Sequence, residues 1–330
     1  MKQYSIFFIL IIILLSIFIC KTYFYSPPND PNIIEALSIN EKLSKLIIEN
    51  YFSDNANLKK TSEEKIKTTV LKDIGYENWI DYIDYIKLNV YPIDIIGDNK
   101  EDLLVSLNIS KDNGVIAIYK PYGENYIYQN KIENLTYIEK LSAIKFDKNK
   151  NFIFVEEILD ETIGAFFYDH FIIVFTNINN SYKEVFRQSI NYESYFFEKW
   201  SNPDIDNPKW FKLTEEAILD YAVNQNNQLT INISKTIAKY IAKDKDGSIP
   251  EIFDLVEKKN FEERYLWSNK YNYFILKEGK IISNNEKVGI ISDSSKTPDS
   301  LLFPGERYYK IIDKNGKIKY IKSKEISILN

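Results

Sequence analysis

The chain has 330 residues, 42 basic and 47 acidic, with a net charge of −5, 45% hydrophobic and 27% charged residues; these are globular proportions and exclude wholesale disorder. No stretch gathers Lys and Arg into a basic face with interleaved aromatics, so composition and charge exclude an electrostatic footprint for nucleic acid. The single cysteine, Cys20, excludes an internal disulfide and a thiolate metal site.

Apart from Ser16, residues 6–20 are unbroken apolar sequence, preceded by Lys2 and followed by Lys21 and the aromatics Tyr23, Phe24 and Tyr25. The strict run is as short as a signal-peptide core, but carried through Tyr25 it reaches the roughly 20 residues that a span needs. Aromatics beside a lysine suit a membrane–water interface. No pair of small residues for cleavage stands between Thr22 and Ser26, and the bulky Ile19 before Cys20 opposes a lipoprotein anchor. Residues 1–25 therefore read as a single uncleaved N-terminal span in the cell membrane with an extracytoplasmic body; a cleaved signal and a secreted body is the alternative. Residues 26–31 carry Pro27, Pro28 and Pro31 and read as a stiff linker.

Residues 32–87 read as a helical region. Ile33, Ile34, Leu37, Leu43, Leu46 and Ile47 fit one helical face, and Thr61-Ser62-Glu63-Glu64 leads into Ile66, Val70, Leu71 and Ile74 up to Gly75. From Leu88 the period changes to short β-branched and aromatic runs separated by turn residues. Four strands are expected over 88–132, and a second set of four over 142–189 repeats the spacing, with Leu103 and Phe152 in matching places. Two such sets suggest propeller blades; an antiparallel sandwich explains them equally well. Helices are expected at 214–221, 234–243 and 250–262, and a hairpin at 271–283 around Lys277-Glu278-Gly279. Residues 88–285 thus form a β-rich, blade-like domain with helical insertions, and residues 286–330 a small barrel-like β unit with a hairpin turn at Asp313-Lys314-Asn315-Gly316. The fold class is mainly β with an N-terminal helical region.

The run Asp94-Ile95-Ile96-Gly97-Asp98-Asn99-Lys100-Glu101-Asp102, followed by apolar Leu103, Leu104 and Val105, resembles the calcium loop of FG-GAP (VCBS-type) repeats, the blades of integrin-α-like β-propellers. That loop needs several hard oxygen ligands from a short segment with a permissive residue at its bend. Asp94, Asp98 and Asp102 match three of its carboxylates; Ile96 replaces another and Asn99 replaces its glycine, a departure that predicts weakened or abolished calcium binding. The same aspartates can instead cap a β turn without metal. Residues 307–328 resemble the second half of a bacterial Src-homology-three-type barrel, which implies binding to cell wall or peptide; a plain terminal hairpin explains them as well. Asp244-Lys245-Asp246-Gly247 resembles the middle of an EF-hand loop, but Ala242 and Phe253 stand at its outer ligand positions, so it reads as a turn between helices.

His170, the only histidine, has no G-x-S-x-G serine to serve, and reads as structural. Glu156 and Glu157 are adjacent, so on a strand they face opposite ways. Glu157, Asp160 and Glu161 can cluster in a loop, which keeps an exported, glycosidase-like hydrolase with an acidic site in play. Trp200, Trp210 and Trp267 suit sugar stacking or core packing. The sequence favours a membrane-tethered, extracytoplasmic, non-enzymatic protein that binds a cell-surface polymer or partner protein; a structural protein of an envelope complex is a third reading.

Overall fold

The computed structural model describes residues 42–95, 100–147, 150–223, 228–243 and 248–329. The apolar segment 6–20 and the linker lie outside the described residues. No helix among those described is long and apolar enough to cross a membrane.

The body opens with a two-residue strand β1 (Leu43–Ser44) and two helices, α1 (Lys45–Tyr51) and α2 (Ala56–Asp73), then a 3₁₀ segment, Glu77–Tyr85. Ser44 caps α1 by accepting from Ile47 N at 3.3 Å, and Asn55 caps α2 by accepting from the amides of Asn57 and Leu58. These side chains satisfy amide groups that the first turn leaves without a helical partner. Strands β2 (Lys87–Ile93), β3 (Asp102–Ser110), β4 (Asn113–Tyr122) and β5 (Asn125–Leu135) follow. They form an antiparallel sheet in the order β1-β5-β4-β3-β2, the meander expected from the turn spacing.

The next strands are β6 (Tyr137–Asp147), β7 (Lys150–Glu161), β8 (Phe167–Ile178), β9 (Ser181–Phe197), β10 (Lys209–Val223), β11 (Leu229–Lys243), β12 (Asp254–Ser268) and β13 (Tyr273–Ile275). They form one eight-stranded sheet in sequence order, each strand pairing its neighbour. The helices expected at 214–221, 234–243 and 250–262 are therefore corrected: the first two are strand throughout, and the third is strand from Asp254. The second set of four strands does not stop at four but continues into β10–β13. The expected hairpin at 271–283 is also corrected, because β13 pairs with β12 while the following strand pairs elsewhere.

The last sheet comprises β14 (Lys277–Ile281), β15 (Lys287–Asp293), β16 (Tyr308–Ile312), β17 (Ile318–Lys322) and β18 (Ile326–Ile328), in the order β17-β16-β15-β14-β18. A short helix, α3 (Asp299–Leu302), lies between β15 and β16, and a 3₁₀ turn, Ser323–Glu325, precedes β18. The expected turn at residues 313–316 is present. Asp313 Oδ1 accepts from the amides of Asn315 and Lys317 at 2.8 and 3.0 Å, and Gly316 takes φ +79°, open to glycine at no steric cost.

Alternation along the strands sorts the cores into layers. Leu103, Val105, Leu107, Val115, Ala117 and Tyr119 face the helices, where they bury Ile66, Val70 and Leu71. Leu104, Ile116 and Ile118, on the other face of the same sheet, pack on Ile153, Val155, Phe171 and Ile173 of β7 and β8. Phe152, Phe154, Ile172 and Val174, on the far face of those strands, share a core with Leu229, Ile231, Trp267 and Phe274, and with Ile291 and Ile312 of the last sheet. The helices cover one face of the first sheet, whose other face packs on β7 and β8 as in a sandwich; the second sheet curls so that β7 and β8 share a core with its own β11 and β12, closed by Ile291 and Ile312 of the third sheet. A part-buried and a buried polar contact fix the register between layers. Tyr119 donates its hydroxyl to Asp73 at 2.7 Å, and the Asn108 side chain both donates to Ile138 O and accepts from Ile138 N, at 2.8 Å each.

Candidate functional site

The pairing of Ile93 with Asp102 brings the two ends of the β2–β3 connection together at one corner of the sheet. Asp94 and Asp102 both belong to this corner; Asp98 lies outside the described residues. Asp102 is 1% exposed, and its Oδ2 accepts from Ile95 N at 2.9 Å. Asp94 lies 3.4 Å from the Lys145 ammonium, and its main-chain carbonyl accepts from Asn151 Nδ2 at 3.3 Å. One carboxylate thus holds the backbone of the corner, and the other has a cationic neighbour.

A cleft of about 490 Å³ opens beside this corner, within the range of about 300–1,000 Å³ common for small-ligand sites. Ile95, Ile118, Asn151 and Thr176 are its buried lining residues, while Gln129, Asn177 and Asn180 are exposed. Its walls come from β4, β5, β7, β8, β9 and the β8–β9 turn, so both packed sheets contribute. Asn179 and Asn180 form that turn with φ of 54° and 61°; their short polar side chains make left-handed backbone affordable. Asn130 Nδ2 donates to Asn180 O at 3.0 Å and fastens the turn to the first sheet. Burial pushes the Tyr182 hydroxyl up to about 12, against a lowering hydrogen bond with Asn177 and with a further rise from the Asp102 charge.

Asn151 is the most constrained of these residues. It is 7% exposed, its carbonyl accepts from Thr176 Oγ1 at 2.8 Å, and its Nδ2 is engaged by Asp94 O. Its Oδ1 is buried with no partner among the described residues. Turning the amide over would set its oxygen against the Asp94 carbonyl, which fixes the orientation shown. A buried acceptor without a donor costs about 1–3 kcal/mol.

Comparison with known proteins finds no match. No family model, curated protein or solved structure is similar to this chain.

A second polar group surrounds His170. Its Nε2 lies 3.2 Å from Glu139 and 3.7 Å from Glu156, and one ligand atom from each of the three residues lies within 4.8 Å of the others. The register shift between Ile138 and Lys140 makes Glu139 the extra residue of a β-bulge, and a bulge re-aims its side chain. Lys140 pairs with Glu156 at 3.2 Å. Glu157 points the other way, as adjacency on a strand requires: it is buried and accepts from Thr136 N and Oγ1 at 2.7 and 3.0 Å, and burial raises its carboxyl above the usual range. The expected grouping of Glu157 with Asp160 and Glu161 does not form, since Lys111 binds Glu161 and the Asp160 carbonyl at the surface. Trp210 and Trp267 are core residues, at 2% and 4% exposed; Trp200 is half exposed and stacks on Phe166.

Sequence reading missed a third polar group, because it placed helices over its strands. Lys235 of β11 lies 3.1 Å from Glu263 of β12 and 3.6 Å from Glu215 of β10, and all three are buried. Lys296 pairs with the other Glu263 oxygen at 3.1 Å, and Gln188 donates to Glu215. Burial raises the Glu215 carboxyl, with Lys235 and Gln188 pulling the other way.

Proposed function

We propose that this chain is a membrane-tethered, extracytoplasmic, non-enzymatic protein that binds a cell-surface polymer. The cleft beside the Asp94–Asp102 corner carries the reading. Its described lining is rich in side-chain amides, each both donor and acceptor. That chemistry holds a polar chain without activating a bond. The tether rests on residues 6–20 and the proline linker. The strand order β17-β16-β15-β14-β18, in which the first strand of the unit pairs with its last after a 3₁₀ turn, supports the barrel resemblance at the C-terminus and the polymer binding that it implies. Calcium at Asp94, Asp98 and Asp102 belongs to this reading through the FG-GAP resemblance.

A second reading, an exported hydrolase with an acidic site, draws on the convergence of Glu139 and Glu156 beside His170. The ion pair between Lys140 and Glu156 weighs against it, because it engages one of the two carboxylates at 3.2 Å.

The test is co-sedimentation of the full-length protein, in a detergent without a sugar headgroup, with insoluble cell-wall polymer. Saturable pelleting without release of soluble fragments is expected. Absence of pelleting would sink the binding reading, and release of fragments would favour the hydrolase.

A further inference from the structure

From the amide-lined cleft we infer a subsite for a neutral sugar residue. This rests on the polymer-binding reading and names its ligand class. Lys120 is the only charged side chain among the described lining residues. An anionic ligand would therefore meet one exposed lysine, with the Asp102 carboxylate close behind the wall on the amide of Ile95. An apolar ligand would strip water from Gln129 and Asn177 without replacing its hydrogen bonds, which opposes binding.

Sugar hydroxyls are donor and acceptor at once, as amide side chains are, so each hydroxyl meets a complementary group whichever way it turns. The cleft adds a feature that suits a pyranose ring: Tyr182 and Ile118 line it with apolar surface for C–H faces. The site is also prepared in advance: Asn130 ties the β8–β9 turn to β5, and Thr176 holds the Asn151 backbone, so little ordering remains to be done on binding.

The test uses soluble probes: the tetramer of N-acetylglucosamine, maltotetraose, and tetragalacturonate as an anionic control. Binding to the full-length protein is read by saturation-transfer NMR. Wild type is compared with the variant Gln129→Ala, which alters an exposed side chain only, and the melting temperature of each is measured. At least one neutral sugar should bind, with a loss of about tenfold or more in the variant at unchanged melting temperature. Failure of both neutral sugars to bind, equal affinity in the variant, or preference for galacturonate would overturn the inference. If the polymer still pellets wild-type protein while the neutral tetramers fail, the subsite falls and polymer binding stands. If pelleting fails while a tetramer binds in the cleft, the reverse holds.

Discussion

Replacing Lys235 with methionine isolates the energetics of the buried ion group. The substitution keeps most of the side-chain volume and removes the charge. It breaks contacts of 3.1 and 3.6 Å to Glu263 and Glu215 and leaves two carboxylates that are 2% and 6% exposed on their side chains. Removing one partner from a buried pair costs about 3–5 kcal/mol, because the remaining charge is uncompensated. Lys296 still holds one Glu263 oxygen at 3.1 Å, so the lower end, about 3 kcal/mol, is expected. At about 2–4 °C per kcal/mol for a body of this size, the melting temperature should fall by roughly 6–12 °C.

The cost should also depend on pH. Burial raises the Glu215 carboxyl in the folded state, so the folded protein holds that proton more tightly than the unfolded chain does. The associated stabilisation is fully present below the ordinary Glu value of 4.5 and is lost as pH rises through the folded value. Without Lys235 the folded value rises further, and Lys235→Met should be less destabilising at pH 5 than at pH 7. Urea unfolding followed by tryptophan fluorescence measures this, since Trp210 and Trp267 are buried in the folded body. A variant within about 0.5 kcal/mol of wild type at pH 7, the range of an ordinary surface change, would refute the reasoning. So would a destabilisation that grows on going to pH 5.

Adding a Cβ at Gly114 places it 2.2 Å from the Thr136 carbonyl oxygen, a backbone atom that cannot swing aside; Gly114→Ala should cost about 1–3 kcal/mol or more in urea unfolding, and a neutral result would contradict the close approach of β4 to the β5–β6 link. Tyr119→Phe removes the hydroxyl that donates to Asp73 at 2.7 Å and should lower stability by about 1.5–3 kcal/mol, as expected for a hydrogen bond to a charged group; its melting temperature checks this. Calorimetric titration with millimolar calcium tests the corner. Heat or a thermal shift that disappears in Asp102→Asn is expected if the corner binds the ion, and no heat and no shift in wild type removes calcium from the reading.

The strands of the first sheet were legible because they obey two simple rules. Leu103, Val105 and Leu107 alternate with Leu104, Ser106 and Asn108, and Gly97-Asp98-Asn99 and Asp112-Asn113-Gly114 punctuate them. The same was true of the C-terminal hairpin, where Asp313 and Gly316 sit where the turn needs an acceptor and a left-handed residue. Strands β10 and β12 and residues 234–243 of β11 were not legible, for an identifiable reason. Their inward positions carry Glu215, Lys235 and Glu263, so the apolar alternation breaks where the side chains pair across strands. In β11, Ile237, Ala238 and Ala242 are buried on both faces, which leaves an i, i+4 pattern that imitates a helix.

The sequence by itself determined the apolar N-terminal segment, the β-rich class, and the opposite facing of Glu156 and Glu157, because these depend on composition and local period. Only the tertiary structure decided that the second strand set runs on into an eight-stranded sheet, that Glu139 and Glu156 meet at His170, and that Gln129, Asn151 and Asn177 share one cleft. Those groupings join residues on different strands. Register and layer packing determine which residues meet, and neither is written in the spacing along one segment of chain.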